Sequence, residues 1–317
     1  MKLIIQIPCF NEEETLPITL ADLPRQIDGI NEIEYLIIND GSNDRTVDVA
    51  REHGVHHVIS FPKNKGLAKG FMAGVDACLR LGADIIVNTD ADNQYSGADI
   101  AKLVKPIVTG EAELVIGDRQ TNGIHHFSWF KKRLQNWGSW VVRQVSDTSV
   151  PDATSGFRAL SREAALQINV VSEFTYTLET IIQAGKKNLA ISHVPVRTNG
   201  KLRESRLFHS NWSYIKRSFG TIARIYTMYE PIKMFSLIGG CLFGLGVLIG
   251  LRFVYYYITM GGAGHVQSLI LTAVLLILGF QVFVLGLVAD MIGSNRRLVE
   301  NALYRLKRLE HSHPSEK

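Results

Sequence analysis

Asp90 and Asp92 stand two residues apart where an apolar run gives way to a polar one, in Ala83-Asp84-Ile85-Ile86-Val87-Asn88-Thr89-Asp90-Ala91-Asp92-Asn93-Gln94-Tyr95. The four residues from Asp84 to Val87 read as a buried strand, and in an extended segment residues two apart project from one side. Like charges that close repel, and the pair is stable when something positive sits between them. A hard divalent cation with oxygen ligands suits that place, Mg²⁺ or Mn²⁺, which also accepts phosphate oxygens. Gln94 can add a neutral oxygen to the same ion. The competing reading is an acidic turn that closes a strand, because Asp and Asn are ordinary turn residues.

Two further places could handle phosphate. Arg119 follows the strand-like Leu114-Val115-Ile116-Gly117, where a planar guanidinium can offer a fork to a phosphate. Arg197, Lys201, Arg203 and Arg206 crowd one short stretch. They read either as a phosphate clamp or as a basic patch on anionic lipid, worth about 1 kcal/mol per charge.

The elements that must position these residues alternate. Leu3–Ile7 is a strand that Pro8 is expected to stop, and Glu12-Glu13-Glu14 suits the first turn of a helix running toward Leu23. Tyr35–Ile38 is a second strand ending in Asn39-Asp40-Gly41-Ser42-Asn43-Asp44, followed by a helix over Thr46–His53 and a short strand at Val58-Ile59-Ser60. A Gly-punctuated loop and helix span Asn64–Leu81 before the Asp84 strand. Strand alternating with helix predicts an α/β fold, a mostly parallel, doubly wound sheet with helices on both faces. Such sheets bind ligands at the carboxyl ends of their strands, where Pro8–Glu12, Asn39–Asp44 and Asp90–Gln94 all fall. Neither a dinucleotide-binding glycine fingerprint nor a P-loop follows these strands.

The last third of the chain differs. Met234–Leu251 and Val266–Ala289 carry no charge, and each is long enough to cross a hydrocarbon core of about 30 Å. Lys216, Arg217, Arg224 and Lys233 precede them, Arg296, Arg297, Arg305, Lys307 and Arg308 follow, and the link Thr259–His265 has no Lys or Arg. By the positive-inside rule both flanks, and with them both termini, lie on the cytoplasmic side. Phe208, Trp212, Ile215, Phe219, Ile222, Tyr226 and Tyr229 form one apolar helical stripe, expected to lie on the bilayer surface, with a core helix packed on the head as the alternative. Gly240-x-x-x-Gly244 and Gly246-x-x-x-Gly250 allow close helix approach, in a hairpin or a homo-oligomer. Val299, Ala302, Leu306 and Leu309 make a short stripe that could pair between subunits or rest on the membrane. The three cysteines, Cys9, Cys78 and Cys241, are odd in number and lack metal spacing, as expected of a reduced compartment. The net charge of +4 gives no sign of a nucleic-acid partner.

Pro8-x-x-Asn11-Glu12, Asn39-Asp40-Gly41-Ser42-x-Asp44-x-Thr46, Asp90-Ala91-Asp92-x-Gln94 and Asp152-x-x-Ser155-Gly156-Phe157-Arg158 together resemble the motifs of family 2 glycosyltransferases of GT-A fold. Within them the chain is most similar to the polyprenyl-phosphate glycosyltransferases, the dolichyl-phosphate mannose synthase-like branch. Each motif alone is weak, but four in order at strand ends are specific, and they cover roughly residues 2–210. The resemblance implies that Pro8, Asn11, Glu12, Asp40 and Asp90 hold the nucleotide. It implies Asp90, Asp92 and Gln94 as the Mg²⁺ or Mn²⁺ site, and Asp92, Asp152 and Arg119 as catalytic. Arg119, Lys201, Arg203 and Arg206 would meet the acceptor phosphate. The first of the two acids usual before Gly-Ser is Asn39 here, and the usual Gly-Glu-Ser-Lys is Arg203-Glu204-Ser205-Arg206. Asp152 is expected to orient acceptor or ion rather than to abstract a proton, because a lipid phosphate is already anionic.

The expected organisation is a cytoplasmic GT-A catalytic domain over 1–207, an amphipathic helix over 208–230, a two-span hairpin over 231–290 and a basic cytoplasmic tail over 291–317. The expected activity is metal-dependent, inverting transfer of a sugar from a UDP- or GDP-linked donor to undecaprenyl or dolichyl phosphate at the inner face of the cell membrane, in glycan biosynthesis. A processive polysaccharide synthase is the first alternative, but no Gln-x-x-Arg-Trp motif and no further spans accompany the head. A non-catalytic lipid-binding scaffold is the second, and the intact Asp90, Asp92 and Asp152 argue against it.

Overall fold

The structure, a computed structural model, describes residues 1–120, 140, 143, 146, 148–171, 176–200, 220, 223–224, 226–261 and 266–312. The chain divides into two compact units, Met1–Ile222 with Asn301–Lys317, and Ala223–Glu300.

The first unit is built on a seven-stranded sheet. β1 (Lys2–Cys9) pairs in parallel with β2 (Glu32–Asn39) on one side and β4 (Ile85–Asn88) on the other, and β2 pairs with β3 (His57–Ser60). β6 (Arg158–Ser161) runs antiparallel between β4 and β5 (Leu114–Asp118), and β5 pairs in parallel with β7 (Ile191–Pro195). The order is β3-β2-β1-β4-β6-β5-β7. Leu3, Ile4, Ile5 and Ile7 are all fully buried, so β1 is covered on both faces, as an unbroken apolar run demands of a parallel strand.

The covering helices are α1 (Leu16–Asp22), α2 (Thr46–Glu52), α3 (Leu67–Arg80), α4 (Ile100–Val108), α5 (Arg162–Gln167) and α6 (Thr177–Lys186). In α3, Ala68, Phe71, Val75, Cys78 and Leu79 fall on one buried face at the three- and four-residue spacing of a core-facing stripe. Successive connections leave β1 toward β2 and β4 on opposite sides, so the strand order reverses there. A crevice at the carboxyl ends of β1 and β4 follows from that reversal.

Two expectations need correction. Pro8 does not stop β1, which continues to Cys9. β4 pairs only as far as Gln6, so at Pro8 no neighbour on that side requires the missing N–H. The acids Glu12–Glu14 precede α1 instead of forming its first turn: Thr15 is the N-cap, and the amides of Thr15 and Leu16 donate to the Glu12 carbonyl at 3.2 and 2.9 Å.

The second unit contains α7 (Pro231–Met260) and most of α8 (Val266–Ser312), both long and apolar enough to cross a membrane. Their apolar side chains are largely uncovered, with Leu248 at 65% and Ile258 at 76% exposure, unlike the core helices of a soluble protein. A Cβ at Gly239 would lie 2.8 Å from the Gly279 carbonyl oxygen, one at Gly246 3.1 Å from Leu275 and one at Gly250 3.0 Å from Thr272. Gly240 and Gly244 meet nothing within 4 Å. The glycines that seat the hairpin are therefore Gly239, Gly246 and Gly250, while the Gly240-x-x-x-Gly244 pair faces outward.

α8 continues to Ser312, and its last turns belong to the first unit. There Tyr304 donates to Glu163 at 2.6 Å, Lys307 to the Ile168 carbonyl at 3.5 Å, and Arg162 to the His311 carbonyl at 3.0 Å. Leu306 and Leu309 are each more than 60% exposed, so this end of the apolar stripe points away from these contacts. Of the expected surface-lying helix, Phe208, Trp212, Ile215, Phe219 and Ile222 lie outside the described residues.

Candidate active site

The loop after β4 is fixed from several directions. The Thr89 amide donates to the Gln6 carbonyl at 3.1 Å, and the Thr19 hydroxyl donates to the Ala91 carbonyl at 2.9 Å. The Gln94 amide turns back to Asp92 Oδ1 at 3.1 Å. Asn93 between them has φ +52°, a left-handed conformation that Asn tolerates better than most residues. This short turn carries all three residues expected to hold a cation.

A buried polar floor lies beneath. Gln6 Nε2 donates to Asn88 Oδ1 at 2.9 Å, and Asn88 Nδ2 donates to the Gly156 carbonyl at 2.9 Å and to the Tyr176 hydroxyl at 3.0 Å. The Tyr176 ring stacks on Phe71 with centroids 4.0 Å apart. Gly156 is wedged above: a Cβ there would lie 2.9 Å from Tyr176 Oη and 3.3 Å from Asp90 Oδ1. Only glycine lets the Asp152–Arg158 segment come this near the Asp90 carboxylate.

The charges at this place are unequally satisfied. Among the described residues no hydrogen-bond donor reaches the Asp90 carboxylate. Burial, and then the charge of Asp92, push its pKa up to about 7, while Arg119 and Arg158 oppose the rise. Asp152 is the reverse case. Burial would raise its carboxyl, but Arg119 and the Thr154 hydroxyl outweigh that and hold it below the ordinary carboxylate range. Arg119 Nε and Nη2 reach the two oxygens of Asp152 at 2.7 and 2.9 Å, and Nη2 also donates to Thr154 at 2.7 Å. One edge of the fork expected for a phosphate, Nε with Nη2, is thus engaged by Asp152.

Arg158 is completely buried. It donates to the carbonyls of Ser155 and Thr177 and to the Thr180 hydroxyl, with Tyr176 stacked 5.2 Å away. No carboxylate pairs with it directly among the described residues, so its charge serves the nearby acids at longer range. Tyr95, stacked on Phe157 at 4.8 Å, accepts from the Gly156 amide at 3.3 Å. Burial, with Asp90 and Asp152 nearby, pushes its hydroxyl up to about 12, against Arg119. It stays a neutral phenol at the centre of the charged cluster.

The expected nucleoside residues form a second, adjoining cluster. Asp40 is buried, and its oxygens accept from the amides of Lys65 and Gly66 at 2.7 and 2.9 Å. It therefore shapes the approach to α3, where Gly66 has φ +91°. Asn11 donates its amide to Ser42 at 3.0 Å and accepts from the Asn43 amide at 2.8 Å. The Glu12 amide donates to the Thr46 hydroxyl at 2.8 Å, and the Glu12 carboxylate accepts from Thr15 at 2.7 Å. Asp44 accepts from the amides of Thr46 at 3.0 Å and Glu13 at 3.1 Å, so the loops after β1 and β2 brace one another. Pro8 pairs with Ile38 in β2 at the edge of this cluster. Arg197 is bound to Asp99 at 3.2 Å, whereas Lys201, Arg203 and Arg206 lie outside the described residues.

Asp90, Asp92 and Gln94 offer oxygen only. Among the described residues no three His, Cys, Asp or Glu side chains form a metal-holding group. Two carboxylates and an amide suit an ion that keeps waters and substrate phosphates in its remaining places, as Mg²⁺ does, and do not suit a closed protein cage. The Asp90 carboxylate, near a like charge and without a donor, fits such a guest.

A family model described as glycosyl transferase family 2 matches residues 4–168. The chain is 30% identical to a UDP-N-acetylglucosamine–dolichyl-phosphate N-acetylglucosaminyltransferase from Methanococcus voltae, over 61% of this chain and 83% of that one. It is 26% identical to a dolichol-phosphate mannosyltransferase from Pyrococcus furiosus, over 82% and 74% of the two chains. Glucosyl-3-phosphoglycerate synthase from Mycobacterium tuberculosis, solved with Mn²⁺, UDP-glucose and phosphoglyceric acid, superimposes with a TM-score of 0.56 at 20% identity. The match covers 71% of this chain and 79% of that one; at that identity it speaks for the fold.

Proposed function

The chain belongs to glycosyl transferase family 2, and from that premise we propose that it moves a sugar from a nucleoside diphosphate donor to a polyprenyl phosphate, with inversion, at the cytoplasmic face of a membrane. The observation that carries the proposal is the Asp90 carboxylate. It sits at the carboxyl end of a central strand, next to a like charge and unserved by any donor among the described residues. The names of the relatives from Methanococcus voltae and Pyrococcus furiosus, both acting on dolichyl or dolichol phosphate, favour a lipid phosphate as acceptor. The two apolar helices would keep the enzyme where that acceptor resides.

In this reading Asp90, Asp92 and Gln94 hold Mg²⁺ or Mn²⁺. When bound, the ion supplies countercharge for the departing diphosphate. Pro8, Asn11, Glu12 and Asp40 line the nucleoside end, with Asp40 acting partly through the Lys65-Gly66 loop it fixes. An acceptor phosphate oxygen attacks the anomeric carbon as the bond to the donor diphosphate breaks, which inverts that carbon. A phosphate monoester, with a second pKa near about 6, is anionic at neutral pH and needs no base. Asp152, held ionised by Arg119, orients that guanidinium toward the acceptor phosphate, and Lys201, Arg203 and Arg206 complete the cationic side. The catalytic domain over 1–207, the amphipathic helix over 208–230 and the basic tail over 291–317 would share the cytoplasmic side of the 231–290 hairpin.

The test is to incubate membranes carrying the protein with polyprenyl phosphate and a panel of labelled UDP- and GDP-sugars, with Mn²⁺ or with chelator. Labelled lipid that forms only with one donor and only with the cation supports the reading. Sugar transfer that is indifferent to chelator, or that reaches only water-soluble acceptors, overturns it.

A further inference from the structure

We propose that Asn199 is a positioning residue for the cation-holding turn Asp92–Gln94, an inference that rests on the function proposed above. The Asn199 amide donates to the Gln94 carbonyl at 2.8 Å, and its side-chain Nδ2 donates to the Asn93 carbonyl at 3.0 Å. One residue, 106 positions away from Asn93, thus takes hold of two successive carbonyls in a three-residue turn. The other side of that turn is held by the Gln94 amide on Asp92 Oδ1. The carboxylate at 92 and the amide at 94 can share an ion only if the peptide planes between them keep one orientation. Asn199 fixes the 93–94 plane through the Asn93 carbonyl and the next plane, 94–95, through the Gln94 carbonyl, so Gln94 is held on both sides while Asn93 stays at φ +52°.

The grip is itself anchored. Tyr95 and Thr198 form an antiparallel bridge, and the Ser96 amide donates to the Arg197 carbonyl at 3.3 Å. The Arg197 amide donates to Asp99 Oδ2 at 2.6 Å, and Asp99, wholly buried, also pairs with the Arg197 guanidinium and with Lys102 at 2.7 Å. Segment 197–199 is therefore a short splint laid along residues 93–99, with Asn199 at the Asn93-Gln94 end. Ligand geometry needs holding within about 0.5 Å, and groups that orient metal ligands typically contribute about ten- to a hundredfold to affinity.

Two substitutions separate positioning from charge. Asn199→Ala removes the side-chain donor. Asn199→Asp also removes it, sets an oxygen against the Asn93 carbonyl, and adds a negative charge that would by itself attract a cation. Mn²⁺ binding to the full-length protein in detergent is followed by the loss of the free-ion resonance signal, with Asp92→Asn as the control. Positioning predicts that both Asn199 variants bind Mn²⁺ about tenfold more weakly, while their melting temperatures stay within about 4 °C of the parent. Unchanged binding in both, or tighter binding in Asn199→Asp, overturns the proposal while leaving the ion site intact. If Asp92→Asn binds Mn²⁺ as well as the parent, the functional reading beneath the proposal fails and takes it along.

Discussion

Arg119 and Asp152 meet through two parallel contacts of 2.7 and 2.9 Å, both side chains almost removed from solvent. A charge pair this enclosed is costly to break, since the surviving partner is left buried and unmatched.

Asp152→Ala is therefore expected to destabilise the first unit by about 3–5 kcal/mol, read as a lower denaturant midpoint. Asp152→Asn, which keeps the shape, has a distinct pH signature. The folded carboxyl titrates below its unfolded value of about 3.9, so its contribution is complete above that pH and is lost as pH falls through the folded value. The stability gap between parent and Asp152→Asn should stay constant from pH 7 down to about 5 and close in stronger acid. A gap that closes above pH 5 would contradict the assignment.

Gly156→Ala should lower turnover by about a hundredfold while the chain still folds. The added methyl meets Tyr176 Oη at 2.9 Å and the Asp90 carboxylate at 3.3 Å, and both cannot stay in place. A displacement of about 1 Å near a reacting centre costs about a hundredfold. Turnover beside a thermal melt would separate the two effects.

Asp92→Asn should lower sugar transfer by about a hundred- to a thousandfold, the usual cost of losing one electrostatic stabiliser. Chelator should abolish parental activity and Mn²⁺ should restore it. Mn²⁺ added to Asp92→Asn should restore little at any practical concentration.

The hairpin offers a paired test. A Cβ at Gly279 would lie 2.8 Å from the Phe243 amide nitrogen and 2.9 Å from the Gly239 carbonyl oxygen, backbone that cannot turn aside, whereas Gly240 faces open space. Gly279→Ala should cost about 1–3 kcal/mol through overpacking and lower the midpoint of unfolding in detergent. Gly240→Ala should leave that midpoint in place.

The central strands and the acidic turn were legible because both depend on local pattern: apolar runs of strand length, and carboxylates two apart at the end of one. The features that local pattern does not encode join distant positions. Asp40 reaches Lys65 and Gly66 across 25 and 26 residues, and Arg119 reaches Asp152 across 33. Nothing in local spacing reveals that a guanidinium suited to phosphate already has an acid beside it. Pro8 sits inside β1 because a proline's effect depends on whether a neighbour needs its N–H at that level of the sheet. Which of the helix glycines meet the hairpin partner is equally invisible in the spacing: Gly239 and Gly240 differ by one position, which on a helix turns the Cα about 100° from the seam. Gln6, Asn88 and Tyr176 carried no signal, since buried polar side chains declare themselves only through their partners.

The pairing of Leu3 with Ile85 on through Gln6 with Asn88 has a practical consequence for grafting. Strand faces alternate residue by residue, so a single-residue slip would turn the acids toward the opposite side and every buried isoleucine with them. A chimera carrying this turn on a relative's scaffold must keep that alignment, and an out-of-frame junction would lose fold and chemistry at one stroke.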